Sequence, residues 1–371
     1  MEILITTIGI VFVLGAITVL ANLVDMRREP AAQVLLILAI LAVNGVVALS
    51  GLLSLLAVES DDLANAAVGA LILFIAAVIA TLLLVPGVRN WIARFLPEPA
   101  VQGQPFLMMN TLNDGEIEFG GLYAQESRKE RPKELLGFRP DSWVHTWATV
   151  IVVMALGWQV ASYFLAGGLS GVAEDIGIDY LTLLASLIQN AIIPFVGVGL
   201  FLRRDIRATL KRLGLEPISW SGYGVSLALV FGLLMLVVTF SAIWEGLVSE
   251  ETFKEQTEAS SALAESVDTI GLAFALALTA AVGEEIAFRG ALQPIFGFWV
   301  TAFVFAFSHV QYTLTPASLL IFLVALALGW VRRHFNTTTA ILVHFLYNFI
   351  PLLLVVSFPE ETASSVLRLL F

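Results

Sequence analysis

The chain has 371 residues and a formal net charge of −11; 58% of its residues are hydrophobic and only 13% are charged. Soluble globular domains carry about 25% charged residues, so this composition excludes an ordinary soluble protein. The chain contains no cysteine, which excludes disulfides, a thiolate nucleophile and thiolate metal ligands. The negative charge is spread over the polar connections, so it indicates no nucleic-acid partner.

Runs of about 20 apolar residues recur along the whole chain, as in membrane-spanning helices. The alternating segments of about ten residues that are typical of membrane β-barrels are absent. The sequence therefore predicts an all-α polytopic membrane protein with about ten transmembrane helices, embedded in the lipid bilayer. The predicted spans are 3–24, 31–57, 63–87, 142–166, 180–202, 220–248, 269–289, 297–312, 316–332 and 337–357.

The basic residues predict the orientation of these spans, because lysine and arginine gather in cytoplasmic loops. With the N-terminus outside, 16 of the 19 lysine and arginine residues fall on the cytoplasmic side. The predicted outer loops are acidic instead, as in ESDD at 59–62 and EDIGID at 174–179. We therefore predict ten spans rather than nine or eleven, an outside N-terminus and a location in the plasma (inner) membrane.

The longest polar stretch, residues 88–140, divides the chain. It contains PEPAVQGQP and QESRKERPKE, and this mixture of proline, glycine and charge is typical of a linker. We predict that it is cytoplasmic. It would separate a three-helix N-terminal membrane module, 1–87, from a seven-helix C-terminal block, 141–371.

Polar and charged side chains inside the predicted spans form three groups. They are GEEIAFRG at 283–290, FAFSH at 305–309 and HFLYN at 344–348. Charged groups inside a bilayer are costly and normally face a protein interior or a water-filled cavity. In each group a spacing of four places two side chains on one helix face. The candidate site residues are Glu284, Glu285, Arg289, His309, His344 and Asn348.

The positions of three of these residues along their spans predict a common depth. At a rise of about 1.5 Å per residue, Glu284 lies roughly 22 Å from the outer end of its span. His344 lies about 10 Å, and His309 roughly 13–18 Å, from the inner side. In a hydrocarbon core about 30 Å thick, these depths allow the carboxylate and both imidazoles to meet towards the cytoplasmic face.

The motifs E-E-x-x-x-R, F-x-x-x-H and H-x-x-x-N, in this order on separate apolar segments, resemble those of the CPBP intramembrane proteases. That family includes the type II CAAX prenyl endopeptidases, called Rce1-like, and bacterial bacteriocin-processing or immunity proteins. The resemblance covers about 142–371 and says little about 1–140. It implies an intramembrane endopeptidase that hydrolyses a peptide bond of a membrane-associated peptide or protein near the cytoplasmic face.

The resemblance also implies roles for the candidate residues. Glu284 is the candidate general base, and His309 shares in activating the water or binds a metal. His344 and Asn348 polarise the carbonyl and stabilise the oxyanion. Phe305 is expected to pack, with no chemical role.

Two further roles follow from the same resemblance. Glu285 and Arg289 orient the site as a charge-assisted pair. In one version of the mechanism Zn²⁺ is held by Glu284 or Glu285 together with His309 and His344, and in the other no metal takes part.

Each group taken alone has a simpler interpretation. The Glu285–Arg289 pair closes a helix end, a lone His309 packs, and His344 with Asn348 bridges helices. A non-catalytic scaffold or immunity protein of the same fold would keep all three motifs. A proton-coupled transporter is the third alternative, but it predicts repeated halves and the sequence shows no repeat.

Overall fold

The computed structural model describes most of the chain as helices. The described residues are 2–57, 63–97, 100–101, 135–168, 178–251, 253–254, 266–309 and 317–358. The α-helices are α1 (Glu2–Arg27), α2 (Pro30–Ala57), α3 (Leu63–Leu82), α4 (Pro86–Ala93), α5 (Trp143–Leu165), α6 (Tyr180–Gly197), α7 (Ile206–Leu213), α8 (Trp220–Glu245), α9 (Ile270–Glu284), α10 (Gln293–Phe307), α11 (Ala317–His334) and α12 (Thr337–Ser357). A π-helix, Glu285–Leu292, joins α9 to α10. Two short antiparallel strands, β1 (Ala100–Val101) and β2 (Leu135–Leu136), pair with each other.

Within these ranges, nine helical runs are long and apolar enough to cross a membrane. The predicted all-helical, polytopic membrane fold is therefore confirmed. Eight runs correspond one to one with predicted spans. The predicted spans 269–289 and 297–312 instead share one run, Ile270–Phe307, which accounts for the difference between nine and ten. The predicted outside position of the N-terminus stays a prediction.

The shared run folds back on itself. The guanidinium carbon of Arg289 lies 4.1 Å from the ring centroid of Phe305, whereas in a straight α-helix their Cα atoms would be about 24 Å apart. The break is at Gly297, with φ 81° and ψ 179°, in the region that glycine adopts at little cost. A Cβ atom there would also lie 2.4 Å from Pro97. The returning arm, residues 298–307, is about 15 Å long and covers half of a bilayer core.

The eighth predicted span is therefore shorter than the sequence indicated. The α-helix ends at Phe307, and the last predicted positions, 310–312, lie outside the described residues.

Contacts along this run identify the two ends of the helix bundle. Gly271 lies beside the Tyr180 hydroxyl at one end. At the other end, Gly290 packs on the backbone of Leu213, and the N–H of Gly137 donates to Pro294 O at 2.8 Å. This second end, which carries both ends of the polar stretch 88–140, is called the linker end below.

The N-terminal helices share a core with α5. The Asp25 carboxylate on α1 accepts hydrogen bonds from the Ser142 hydroxyl and the Trp143 N–H, both at 2.6 Å, at the start of α5. A carboxylate stabilises a helix N-terminus by satisfying its free N–H groups and by its charge. Deeper in the bundle, Trp147 Nε1 donates to the Thr18 hydroxyl at 2.9 Å.

Small residues bring α3 and α5 close together. A Cβ on Gly157 would lie 2.4 Å from the Cβ of Ala76, and one on Gly69 would lie 2.8 Å from Leu165. Close contacts at small residues are the usual basis of helix association in membranes. The predicted division at 87 and 140 stays a prediction, and residues 102–134 of the linker lie outside the described residues.

Candidate active site

The motif GEEIAFRG lies where α9 becomes a π-helix. The N–H of Gln293 donates to Phe288 O, five residues earlier, instead of to the carbonyl four residues earlier as in an α-helix. Single π-turns within α-helices are frequent at functional sites. The sequence interpretation assumed a regular α-helix here. It could not distinguish an α-helix from a π-helix, because a spacing of four brings Glu285 and Arg289 together in both.

The two glycines of the motif allow close approach of neighbouring segments. A Cβ on Gly283 would lie 3.0 Å from the Cβ of Asn190 on α6, and one on Gly290 would lie 3.1 Å from Leu213 O after α7. Both positions therefore fix how tightly the glutamates are held against the rest of the bundle.

Glu285, Arg289 and His344 form a buried group. The Oε1 atom of Glu285 accepts from Arg289 Nη1 at 2.9 Å and lies 2.9 Å from His344 Nδ1. The Glu285 and Arg289 side chains are 0% and 1% exposed. Arg289 also donates to Ala325 O on α11 at 3.3 Å. A carboxylate and a guanidinium this deep are tolerable only because they are paired and hydrogen-bonded.

Phe305 packs at the centre of the site. Its ring lies under the Arg289 guanidinium at 4.1 Å, which is a cation–π contact. The ring centroids of Phe288, His309 and His344 lie 5.0, 4.7 and 6.0 Å from it. The returning arm of α10 is thereby fixed against both the π-helix and α12.

Glu284 and His309 form a second, more accessible pair. Glu284 Oε2 lies 3.8 Å from His309 Nε2, and the two side chains are 22% and 19% exposed. The other ring nitrogen of His309, Nδ1, lies 2.8 Å from Phe305 O. A carbonyl only accepts, so Nδ1 carries a hydrogen, and Nε2 is the ring nitrogen that faces Glu284.

One oxygen of this pair lacks a hydrogen-bond donor. Within the described part of the chain, the buried Oε2 of Glu284 has no hydrogen-bond partner. This oxygen lies 3.8 Å from His309 Nε2, and a donor placed beside it would stabilise it.

Asn348 follows His344 by one helical turn on α12 and is half-buried. Over the described ranges, its amide makes no hydrogen bond with the other predicted site residues. The structure thus brings five of the six predicted residues into two contacting groups and leaves Asn348 beside them.

The comparison with protein families agrees with this arrangement. Residues 266–350 match the family model described as type II CAAX prenyl endopeptidase Rce1-like. This segment is similar to that family, and we call it the Rce1-like domain below. It contains all six predicted site residues. No curated protein and no solved structure shows a significant match.

A residue outside the Rce1-like domain also supports the site, and the sequence interpretation missed it. Gln159, on α5, donates through Nε2 to Ser308 O at 2.6 Å, directly before His309. The available signal was the polar carboxamide of Gln159 within the apolar span 142–166. One such residue has no periodicity, so it did not stand out.

The Rce1-like domain does not present the predicted zinc ligands as one cluster. Among the described residues, no three His, Cys, Asp or Glu side chains are grouped to hold a metal ion. Glu284 and His309 face each other, and Nδ1 of His344 lies against Glu285, which leaves Nε2 of His344 as the ring nitrogen that could bind a metal. The predicted Zn²⁺ site of Glu284 or Glu285 with His309 and His344 therefore stays a prediction.

Proposed function

We propose that the protein is an intramembrane endopeptidase in which Glu284 and His309 activate a water molecule. The observation that carries the proposal is that Glu284 Oε2, which has no hydrogen-bond partner among the described residues, lies 3.8 Å from His309 Nε2, on side chains that are 22% and 19% exposed. A water with hydrogen bonds of about 2.8 Å to each atom fits this separation. It would donate one hydrogen to each acceptor and leave a lone pair of its oxygen for attack.

The proposed reaction needs only these groups and the substrate. The water oxygen attacks the carbonyl carbon of the scissile peptide bond while Glu284 takes one proton as general base. The resulting tetrahedral intermediate then breaks its C–N bond. The proton returns from Glu284 to the leaving amine, so that a carboxylic acid and an amine are formed.

The oxyanion of the intermediate would be stabilised from α12. Oε1 of Glu285 accepts from Arg289, so an Nδ1–H of His344 would donate to the same oxygen and hold the ring in one orientation. When the ring is protonated, Nε2 donates as well. Asn348, one turn further on the same helix face, supplies an amide donor.

The proposed substrate is a membrane-associated peptide or protein cut near the linker end of the bundle. His344 lies seven residues after the start of α12 at Thr337, whose N–H donates to Gly214 O at that end. If the predicted orientation is correct, this is the cytoplasmic side. The family description names a prenyl endopeptidase, and a prenylated tail is one member of the substrate class proposed for this chain.

The proposal is tested with the full chain in detergent or liposomes and a library of membrane-anchored peptides. Wild type is compared with Glu284→Gln and with Glu216→Gln, a control at an exposed carboxylate of the linker end. Cleavage by wild type and the control, lost in Glu284→Gln, supports the enzyme. Full cellular function of Glu284→Gln, with no cleavage by any variant, favours a non-catalytic scaffold.

Metal analysis of the same samples addresses Zn²⁺, which stays a prediction. Stoichiometric zinc in wild type that is lost in His309→Ala and His344→Ala would establish the metal version. Cleavage that survives chelation, in samples with no bound zinc, supports the proposal as stated.

A further inference from the structure

Two arginines from outside the π-helix donate to consecutive carbonyl groups within it. Arg332, at the end of α11, donates through Nε to Arg289 O at 3.2 Å. Arg212, in the last turn of α7, donates through Nη1 to Gly290 O at 3.0 Å. The two donors come from separate elements and converge on one turn of the backbone.

Pro294 explains why these two carbonyls need donors. In the π pattern, where Gln293 N–H bonds Phe288 O, the next donor would be the N–H of residue 294 to Arg289 O. In the α pattern the same N–H would bond Gly290 O. Proline has no N–H, and its ring pushes away the carbonyl four residues earlier. Residue 294 therefore donates to neither Arg289 O, its partner in the π pattern, nor Gly290 O, its partner in the α pattern.

The structure makes room for one of these arginines. Gly214 ends α7 with φ 71° and ψ 27°, the left-handed conformation that favours glycine. A Cβ at this position would lie 2.7 Å from the guanidinium carbon of Arg332. Only a residue without a side chain both ends α7 in this way and leaves the space that Arg332 occupies.

We propose that Arg212 and Arg332 are positioning residues of the active site. They satisfy the carbonyls that Pro294 deprives of a donor, and so they hold the π-turn from which Glu285 and Arg289 project. Neither arginine touches the substrate. The inference rests on the proposed function only where it concerns turnover, because the backbone role can be measured without it.

The kinetic test uses the full chain with Arg332→Gln and Arg212→Gln. Arg207→Gln is the matched control, because Arg207 is exposed on the same short helix as Arg212. Loss of either arginine's hydrogen bond to the π-helix shifts the π-turn, so we expect kcat to fall by about tenfold. KM should be unchanged, because the contacts with the substrate remain. Arg207→Gln should keep both constants. A rise in KM at unchanged kcat would overturn the positioning role.

The backbone test needs no substrate. Amide hydrogen exchange is measured on peptides that cover 285–297 in wild type, Arg332→Gln, Pro294→Ala and the double variant. We expect Arg332→Gln to speed exchange. The increase should be smaller in the Pro294→Ala background, because residue 294 then supplies an N–H of its own.

These two readouts separate the two ideas. Equal exchange in Arg332→Gln and Arg207→Gln, or the same increase with and without Pro294→Ala, would overturn the inference even if wild type is an active protease. A wild type that cleaves nothing would defeat the proposed function, and the exchange result would still decide the role of the arginines.

Discussion

The Nδ1 atom of His344 lies 2.9 Å from Oε1 of Glu285, although the two residues are 59 positions apart in the chain. The same oxygen accepts from Arg289 at 2.9 Å. The adjacent Glu284 instead faces His309 and is partly accessible. Two neighbouring glutamates therefore have different surroundings, one buried in an ion pair and one open towards the second histidine.

This difference predicts a large loss of stability at one position and little change at the other for the same substitution. Glu285→Gln leaves the Arg289 charge buried without its partner, and breaking a buried pair costs about 3–5 kcal/mol. Glu284→Gln removes no such pair, so the melting temperature in detergent should change little. If Glu284 is the general base, the cleavage rate of Glu284→Gln should nevertheless fall about 10²–10⁴-fold below that of wild type.

Thermal unfolding of the two variants, beside Glu216→Gln, measures the stability effect. Equal melting temperatures for Glu284→Gln and Glu285→Gln would contradict the assignment of Glu285 as the buried centre of the pair. Full cleavage activity of Glu284→Gln would contradict its role as the base.

Gln159→Leu should reduce activity from a helix that lies outside the Rce1-like domain. The substitution keeps the approximate size of the side chain but removes the donor to Ser308 O, at a cost of about 0.5–1.5 kcal/mol. The end of α10 would then loosen, and kcat should fall because His309 follows directly. Ser162→Ala, one turn away, is the control, because its hydroxyl donates to the backbone of its own helix. Equal kcat in both variants would remove Gln159 from the site.

Gly283→Ala should destabilise the protein although alanine favours helices. The new methyl group would lie 3.0 Å from Asn190 Cβ, so α9 and α6 must move apart, and overpacking of this kind costs about 1–3 kcal/mol. Gly232→Ala on α8 meets nothing within 4 Å and should leave the melting temperature unchanged or slightly higher. The reverse order of the two melting temperatures would show that the α6–α9 contact is looser than described.

The predicted orientation can be tested directly because the chain has no cysteine of its own. Glu216→Cys and Glu250→Cys lie beyond the two ends of α8, whose 26 residues are long enough, at about 39 Å, to separate them by a bilayer. With the N-terminus outside, a membrane-impermeant maleimide added to intact cells should label only Glu250→Cys. Labelling of Glu216→Cys alone would reverse the orientation, while labelling of both after permeabilisation controls for reactivity.

The sequence predicted the helical membrane fold well, because a run of about 20 apolar residues matches the length that a helix needs to cross a bilayer. It also predicted which side chains would converge, since spacing and depth are readable along a helix. It predicted a reversal of the chain between the spans 269–289 and 297–312, but it did not predict that the returning helix ends at Phe307, because sequence polarity locates the ends of a span only approximately. It did not predict the partner of Glu285 either, since neither depth nor spacing tells which of two adjacent glutamates meets His344.

The returning arm of α10 has a consequence for hydration. It ends at Phe307, about half-way through the hydrocarbon core, and a helix end leaves its last carbonyl groups without backbone donors. In lipid such groups must be satisfied by protein or by water that penetrates the bundle. Gln159 donates to the Ser308 carbonyl, and the N–H groups of Ser308 and His309 donate to the carbonyls of Val304, Phe305 and Ala306. Under the proposed function, a helix that stops short is the place where water, the second reactant of hydrolysis, would reach Glu284 and His309.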